Sequence, residues 1–290
     1  MKKEYAMAAF SIFCWGTMAP VSKILLSGLS NMEVLFYGSA IAAAALLLVI
    51  LLSGKWRLFR QYTITDYLQL FLIGFVGYFL YSAFYYRGLT VLPAQIACIL
   101  NYLWPILTVC LSCLMLKESF STPKLLALLL SFTGVIVVTF QPGTNASTNS
   151  SSLTGYICCI VAAFLYALFN VLNKKKGGNQ LINMFIYISV SAVFAFVCCL
   201  RTGFSPVSGS QIAGLLWLGI FIDAAGFLLW AMALQAGNST TIANFAYATP
   251  ALSLFLSCLL LKEPLYLTSF IGLGFILCGF FLQMYLSKQL

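Results

Sequence analysis

Apolar residues run along this chain in long blocks that end wherever Gly, Pro, amide or charged residues cluster. A helix needs about 20 mostly apolar residues to cross the hydrocarbon core of a bilayer. Ten blocks meet or approach that length, at about 5–26, 34–52, 67–86, 94–116, 124–140, 153–173, 181–200, 212–234, 241–261 and 265–286. The pattern predicts an all-α polytopic membrane protein with ten transmembrane helices. Its longest connector, 141–152, is uncharged and rich in Ser, Thr and Asn. That stretch joins two halves, residues 1–142 and 143–290.

The halves repeat one another. Residues 102–118 align with 247–263 at a constant offset of 145, with ten identities in seventeen positions. Tyr102/Tyr247, Pro105/Pro250, Ser112/Ser257 and the Lys-Glu pairs Lys117-Glu118 and Lys262-Glu263 are among them, and these are not ordinary helix filler. Gly134 and Gly279 continue the register, and the first and sixth blocks correspond more weakly, with Trp15 against Tyr166 and Lys23 against Lys174. Five spans is an odd number, so the second half enters the membrane upside down relative to the first. Inverted repeats of this kind characterise secondary transporters, which place their substrate site near the midplane between the halves. A duplicated bundle retained only for packing is the bland alternative.

Composition narrows the chemistry. The 290 residues are 62% hydrophobic and 7% charged, with mean hydropathy +1.01. An ordinary soluble domain carries about 25% charged residues, so lipid is the expected surroundings. There is no histidine, which removes Ser-His-Asp and Cys-His catalysis and every zinc site that needs imidazole. No cofactor or metal is expected. The net charge of +9 does not point to nucleic acid, because the basic residues punctuate apolar blocks instead of clustering on one soluble face. The ten cysteines sit mostly within those blocks and read as small packing residues. With the N-terminus inside, eleven of the fifteen basic residues fall on the cytoplasmic side and four on the other. That bias predicts a cell (inner) membrane protein with both termini cytoplasmic.

The residues also resemble a known group. Two five-span halves, each with Leu-Lys-Glu before its last span, look like the two-EamA-domain branch of the drug/metabolite transporter superfamily. Asn101-Tyr102-Leu103-Trp104-Pro105, Trp15-Gly16-Thr17-Met18, Asn173-Lys174, Gly237-Asn238 and Thr240-Thr241 resemble strings of the bacterial aromatic amino-acid exporters. The resemblance covers essentially the whole chain. It implies a ten-helix exporter that works without ATP around a large, mainly apolar central cavity.

Polar side chains within spans are costly and usually face a bundle interior or a cavity. Tyr78, Tyr81 and Tyr85 recur at i, i+3 and i+7, one helical stripe that either lines the cavity or packs. Asn101, Tyr102 and Trp104 precede Pro105, whose ring frees the Asn101 carbonyl and bends the helix. Pro250 repeats this near Asn244 and Tyr247, giving two equivalent kinks. Tyr166, Asn170 and Asn173 form a polar stripe whose repeat partners in the first span are Trp15, Ala19 and Ser22, serving either substrate or helix-joining hydrogen bonds. Asp223 is the one acid expected in a span interior, with Trp230 on its stripe. An ionised carboxylate there costs on the order of 2.5–3.5 kcal/mol, so Asp223 is expected to bind a proton or a substrate ammonium group, or else to cap a broken helix. Glu33 and the two Lys-Glu pairs are expected to be interfacial anchors, and Lys23 and Arg87 to snorkel toward water. The function expected is export of amino acids or similar small metabolites by alternating access, with a passive facilitator as the near alternative and an intramembrane enzyme as the distant one.

Overall fold

The computed structural model describes residues 3–116, 150–236 and 248–287, with Ala246 and scattered positions between 126 and 137. Regular structure among them is helical throughout. In the first half lie α1 (Lys3–Leu25), α2 (Asn31–Leu52), α3 (Ile64–Val91) and α4, built from Ala94–Asn101 and Trp104–Leu116. The second half supplies α5 (Ser150–Lys176), α6 (Gln180–Thr202), α7, α8 (Ala248–Leu261) and α9 (Leu267–Ser287). Helix α7 runs as Gly209–Leu216, Trp217–Gly226 and Phe227–Ala236. Seven described helices are long and apolar enough to cross a membrane, and Ala248–Leu261 and Leu267–Gly279 are shorter apolar helices. Most of the fifth expected span, 124–140, lies outside the described residues.

Local chemistry sets where these helices start. Ser30 with Glu33, Thr63 with Asp66, and Ser208 with Gln211 each form a reciprocal capping box, in which side chains satisfy the first free backbone N–H groups. The box at Thr63 starts α3 earlier than the apolar block does. Gly54 (φ 68°) and Gly203 (φ 84°) turn the chain after α2 and α6 in a left-handed region that a side chain resists.

Two helices depart from regular geometry in ways that hydropathy does not reveal. Residues Gly74–Leu80 of α3 and Trp217–Gly226 of α7 are π-helical, so each helix widens in mid-course. Such bulges rotate the side chains that follow and recur at functional sites. Helix α4 breaks at Tyr102 and Leu103, just ahead of Pro105, where the expected kink lies. Pro250 falls in the first turn of α8, and the residues that would show a matching break lie outside the described set.

Packing crosses between the halves. Helix α2 lies along α6 in the most extensive contact of the fold, while α1 packs on α8 and α7, and α5 on α4 and α3. Each half's first helix therefore rests on the other half's third and fourth. Small residues allow the close approaches: a Cβ on Gly219 would meet the Ile41 Cβ at 2.6 Å, and one on Gly74 would meet the Tyr187 Cα at 2.9 Å. Leu48, Leu72, Val193, Leu200, Phe255, Leu259 and Phe270 instead point outward and are exposed, an apolar surface suited to lipid.

The acids expected at the interfaces are more engaged than anchors. Glu33 is 2% exposed; besides capping α2 it accepts hydrogen bonds from the Ser205 amide and hydroxyl, tying α2 to the α6–α7 connection. Asp66 pairs with Lys176 at 2.8 Å, joining α3 to the end of α5. A buried carboxylate needs such partners to repay its desolvation.

Candidate functional site

Helices α1, α3, α4, α5 and α7 converge on a small enclosed cavity. Its walls are Trp15 and Met18, Tyr81 and Tyr85, Cys98, Asn101, Tyr102 and Trp104, Tyr166, and Phe227. The rings interlock: Tyr81 stacks on Tyr166 with centroids 4.8 Å apart, Trp104 meets Tyr166 edge-on at 5.0 Å, and Trp15 meets Phe227 at 5.3 Å. These separations lie in the favourable range for aromatic pairs. The volume is about 30 Å³, enough for about one water, whereas small-molecule pockets run to roughly 300–1,000 Å³. Among the described residues the rings narrow this space, Tyr81 and Trp104 both closing on Tyr166. A larger cleft, about 630 Å³, opens between α3 and α5 beside Gln69, Leu72, Leu172 and Lys175, and none of the candidate residues lines it.

Two polar atoms in the cavity wall are buried without a hydrogen-bond partner, the Trp15 Nε1 donor and the Asn101 Oδ1 acceptor. Asn101 Nδ2 reaches the Tyr81 hydroxyl at 3.4 Å. Unpaired buried polar groups each cost about 1–3 kcal/mol. The cavity therefore offers one unused donor and one unused acceptor, framed by π faces. The acceptor sits at the kink, since Asn101 is the last residue of the first segment of α4.

Behind Tyr81 lies Asp223, 4% exposed in the π-helical part of α7. The Tyr78 side chain lies against its carboxyl, and Tyr81 and Tyr86 are its other electrostatic neighbours. A Cβ on Gly38 would come within 3.1 Å of its Oδ2, so α2 closes the remaining side. Tyr78 and Asp223 are themselves 145 positions apart, the repeat offset, as are Gly74 and Gly219. Of these two counterpart pairs, Tyr78 and Asp223 lie side by side.

Of the residues expected at the site, Trp15, Tyr81, Tyr85, Asn101, Tyr102, Trp104 and Tyr166 line the cavity together. Tyr78 and Asp223 form the adjoining pair, and Trp230 packs against Trp15 at 5.1 Å. Asn170 turns back to the Tyr166 carbonyl at 2.9 Å in its own helix. Asn173 takes the helix-joining role, donating to Gln180 Oε1 at 3.1 Å and accepting from the Tyr187 hydroxyl at 3.0 Å. Asn244 and Tyr247 lie outside the described residues. Cavity residues not singled out beforehand are Met18, Cys98 and Phe227. They are apolar, and nothing in a lipid-facing sequence separates them from packing residues.

Membrane-length apolar helices gathered around a buried aromatic cavity define a multi-pass membrane protein. The chain belongs to the EamA-like transporter family, which matches residues 2–140 and again 153–285. An uncharacterized transporter of Bacillus subtilis, YvbV, is 27% identical over 92% of this chain and 87% of its own length. An uncharacterized transporter of Archaeoglobus fulgidus is 25% identical over 97% of this chain and 98% of its own. The aromatic amino acid exporter YddG of Salmonella typhimurium is 29% identical over 57% of this chain and 58% of its own length. A solved crystal structure 18% identical to this chain superposes with a TM-score of 0.73, covering 99% of this chain and 98% of that one, and shares the fold.

Proposed function

We propose that this transporter exports amino acids, aromatic ones included, or similar small amphiphilic metabolites by alternating access, without ATP. It has ten spans in two inverted halves, 1–142 and 143–290, and sits in the cell membrane with both termini cytoplasmic. The observation that carries the reading is the aromatic cavity with its unpaired donor and acceptor, Trp15 Nε1 and Asn101 Oδ1. Flat ring walls accept an apolar or aromatic body, and the two polar atoms address a small polar head. The partial likeness to YddG supports the substrate class.

Contact between Tyr78 and Asp223, counterparts across the repeat, supports an inverted arrangement, since only residues near a two-fold axis meet their own equivalents. Asp223 then lies where both membrane faces are equally distant, the position for a proton or a substrate ammonium group. A thermal-shift screen of the purified protein tests the substrate class: aromatic amino acids should raise the melting temperature in a concentration-dependent way. Stabilisation by unrelated metabolites alone would overturn it.

A further inference from the structure

The corner between α3 and α4 leaves two sets of backbone groups without helical partners, the last carbonyls of α3 and the first N–H groups of α4. Both sets are satisfied from elsewhere in the chain. Lys23, at the end of α1, donates through Nζ to the Leu89 carbonyl at 2.5 Å and the Leu92 carbonyl at 2.6 Å. Glu263, between α8 and α9, accepts from the Ala94 amide at 2.7 Å and the Gln95 amide at 3.2 Å. Gln95 Nε2 returns a bond to the Pro264 carbonyl at 2.7 Å, and the Ser269 hydroxyl meets Gln95 Oε1 at 3.4 Å. A cation thus sits on a helix C-terminus and an anion on the next helix N-terminus, the favourable sense for both helix dipoles.

Glu263 and Lys23 also attract one another. The cluster draws the first half's α1, α3 and α4 and the second half's α8–α9 connection into one knot, at the end of the molecule opposite the N-terminus. Lys262, just before it, is the one described non-glycine residue with positive φ, 55°. That turn reverses the chain after α8 and delivers the carboxylate to α4. Cys98, one helical turn inside Ala94 and buried, lines the central cavity directly beneath.

We infer that Glu263 and Lys23 are positioning residues of the transport cycle, forming a releasable latch that holds this end of the cavity shut. The inference rests on the alternating-access reading. Ion-to-backbone contacts suit a latch, because half-buried charges exchange them for water without unmaking an apolar core, whereas α2 and α6 are joined by broad packing. The repeated Lys-Glu motif thus has a task at this end of the molecule beyond interfacial anchoring.

Native Cys98 reports the latch. In right-side-out membrane vesicles, labelling by a membrane-impermeant maleimide, read residue by residue by mass spectrometry, should rise roughly tenfold for Cys98 in Glu263→Gln, as charge-assisted hydrogen bonds are lost. Lys23→Gln should act in the same direction, and Glu263→Asp should restore slow labelling. Cys199, fully buried in α6, must stay unlabelled, which marks the variant as folded. Should Glu263→Gln misfold, Lys23→Gln carries the test. Unchanged Cys98 labelling in a folded variant would overturn the latch even if substrate transport is intact. Faster Cys98 labelling without any substrate gradient in proteoliposomes would leave the latch standing and defeat the transport reading.

Discussion

At the scale of single residues, cost identifies function. Asn101 holds a buried oxygen that no described residue satisfies, and its side-chain bond to Tyr81 is long. A residue kept for stability would be better paired. Asn101→Ala should therefore leave the melting temperature nearly unchanged while weakening substrate binding about tenfold, the equivalent of roughly 1.4 kcal/mol, measured as a shifted midpoint in substrate-dependent thermal titration. Asp223 is tested by coupling. An imposed pH gradient should change the steady-state substrate distribution in proteoliposomes carrying the wild-type protein. Asp223→Asn should abolish that response, whereas a response of undiminished size would remove the carboxylate from the mechanism.

At the scale of elements, the main surprises are the two π-helical stretches. Hydropathy located α3 and α7 well, because a span announces itself by the length of its apolar block. The bulges were illegible for the same reason: where lipid-facing and core-facing positions are both apolar, little periodicity survives to show a change of pitch. The capping boxes, by contrast, are plain in sequence as Ser or Thr followed three residues later by an acid or Gln. Gly219 sits within the α7 bulge and admits α2 so closely that the Gly38 carbonyl would lie 2.9 Å from an added Cβ. Gly219→Val should cost about 1–3 kcal/mol through overpacking, read as a lowered melting temperature in detergent. Gly209, with open space around it, should accept Ala with almost no loss.

At the scale of the whole molecule, the apolar blocks announced a helical membrane protein, and the internal repeat agrees with a family match that falls twice along the chain. Seven cavity residues were legible because aromatic and amide groups stand out in an apolar chain. Their companions Met18, Cys98 and Phe227 did not, since they are ordinary membrane residues that only three-dimensional convergence selects. The predicted orientation has a direct check. Single-cysteine labels introduced at Lys55 and at Ser147, on a background lacking the native cysteines, should be protected and reactive, respectively, toward an impermeant reagent added outside intact cells. The reverse pattern would invert the orientation.

The meeting of Tyr78 with Asp223 bears on ancestry. Two identical chains related by a two-fold axis through that point could place only the same residue twice there, two tyrosines or two acids facing each other. Fusing the copies into one gene allows the partners to diverge, so that one supplies a carboxylate and the other a hydroxyl to hold it. The exchange variant Tyr78→Asp with Asp223→Tyr should accordingly keep more transport than either single substitution, measured as initial uptake rate, because it restores the pair with its members interchanged.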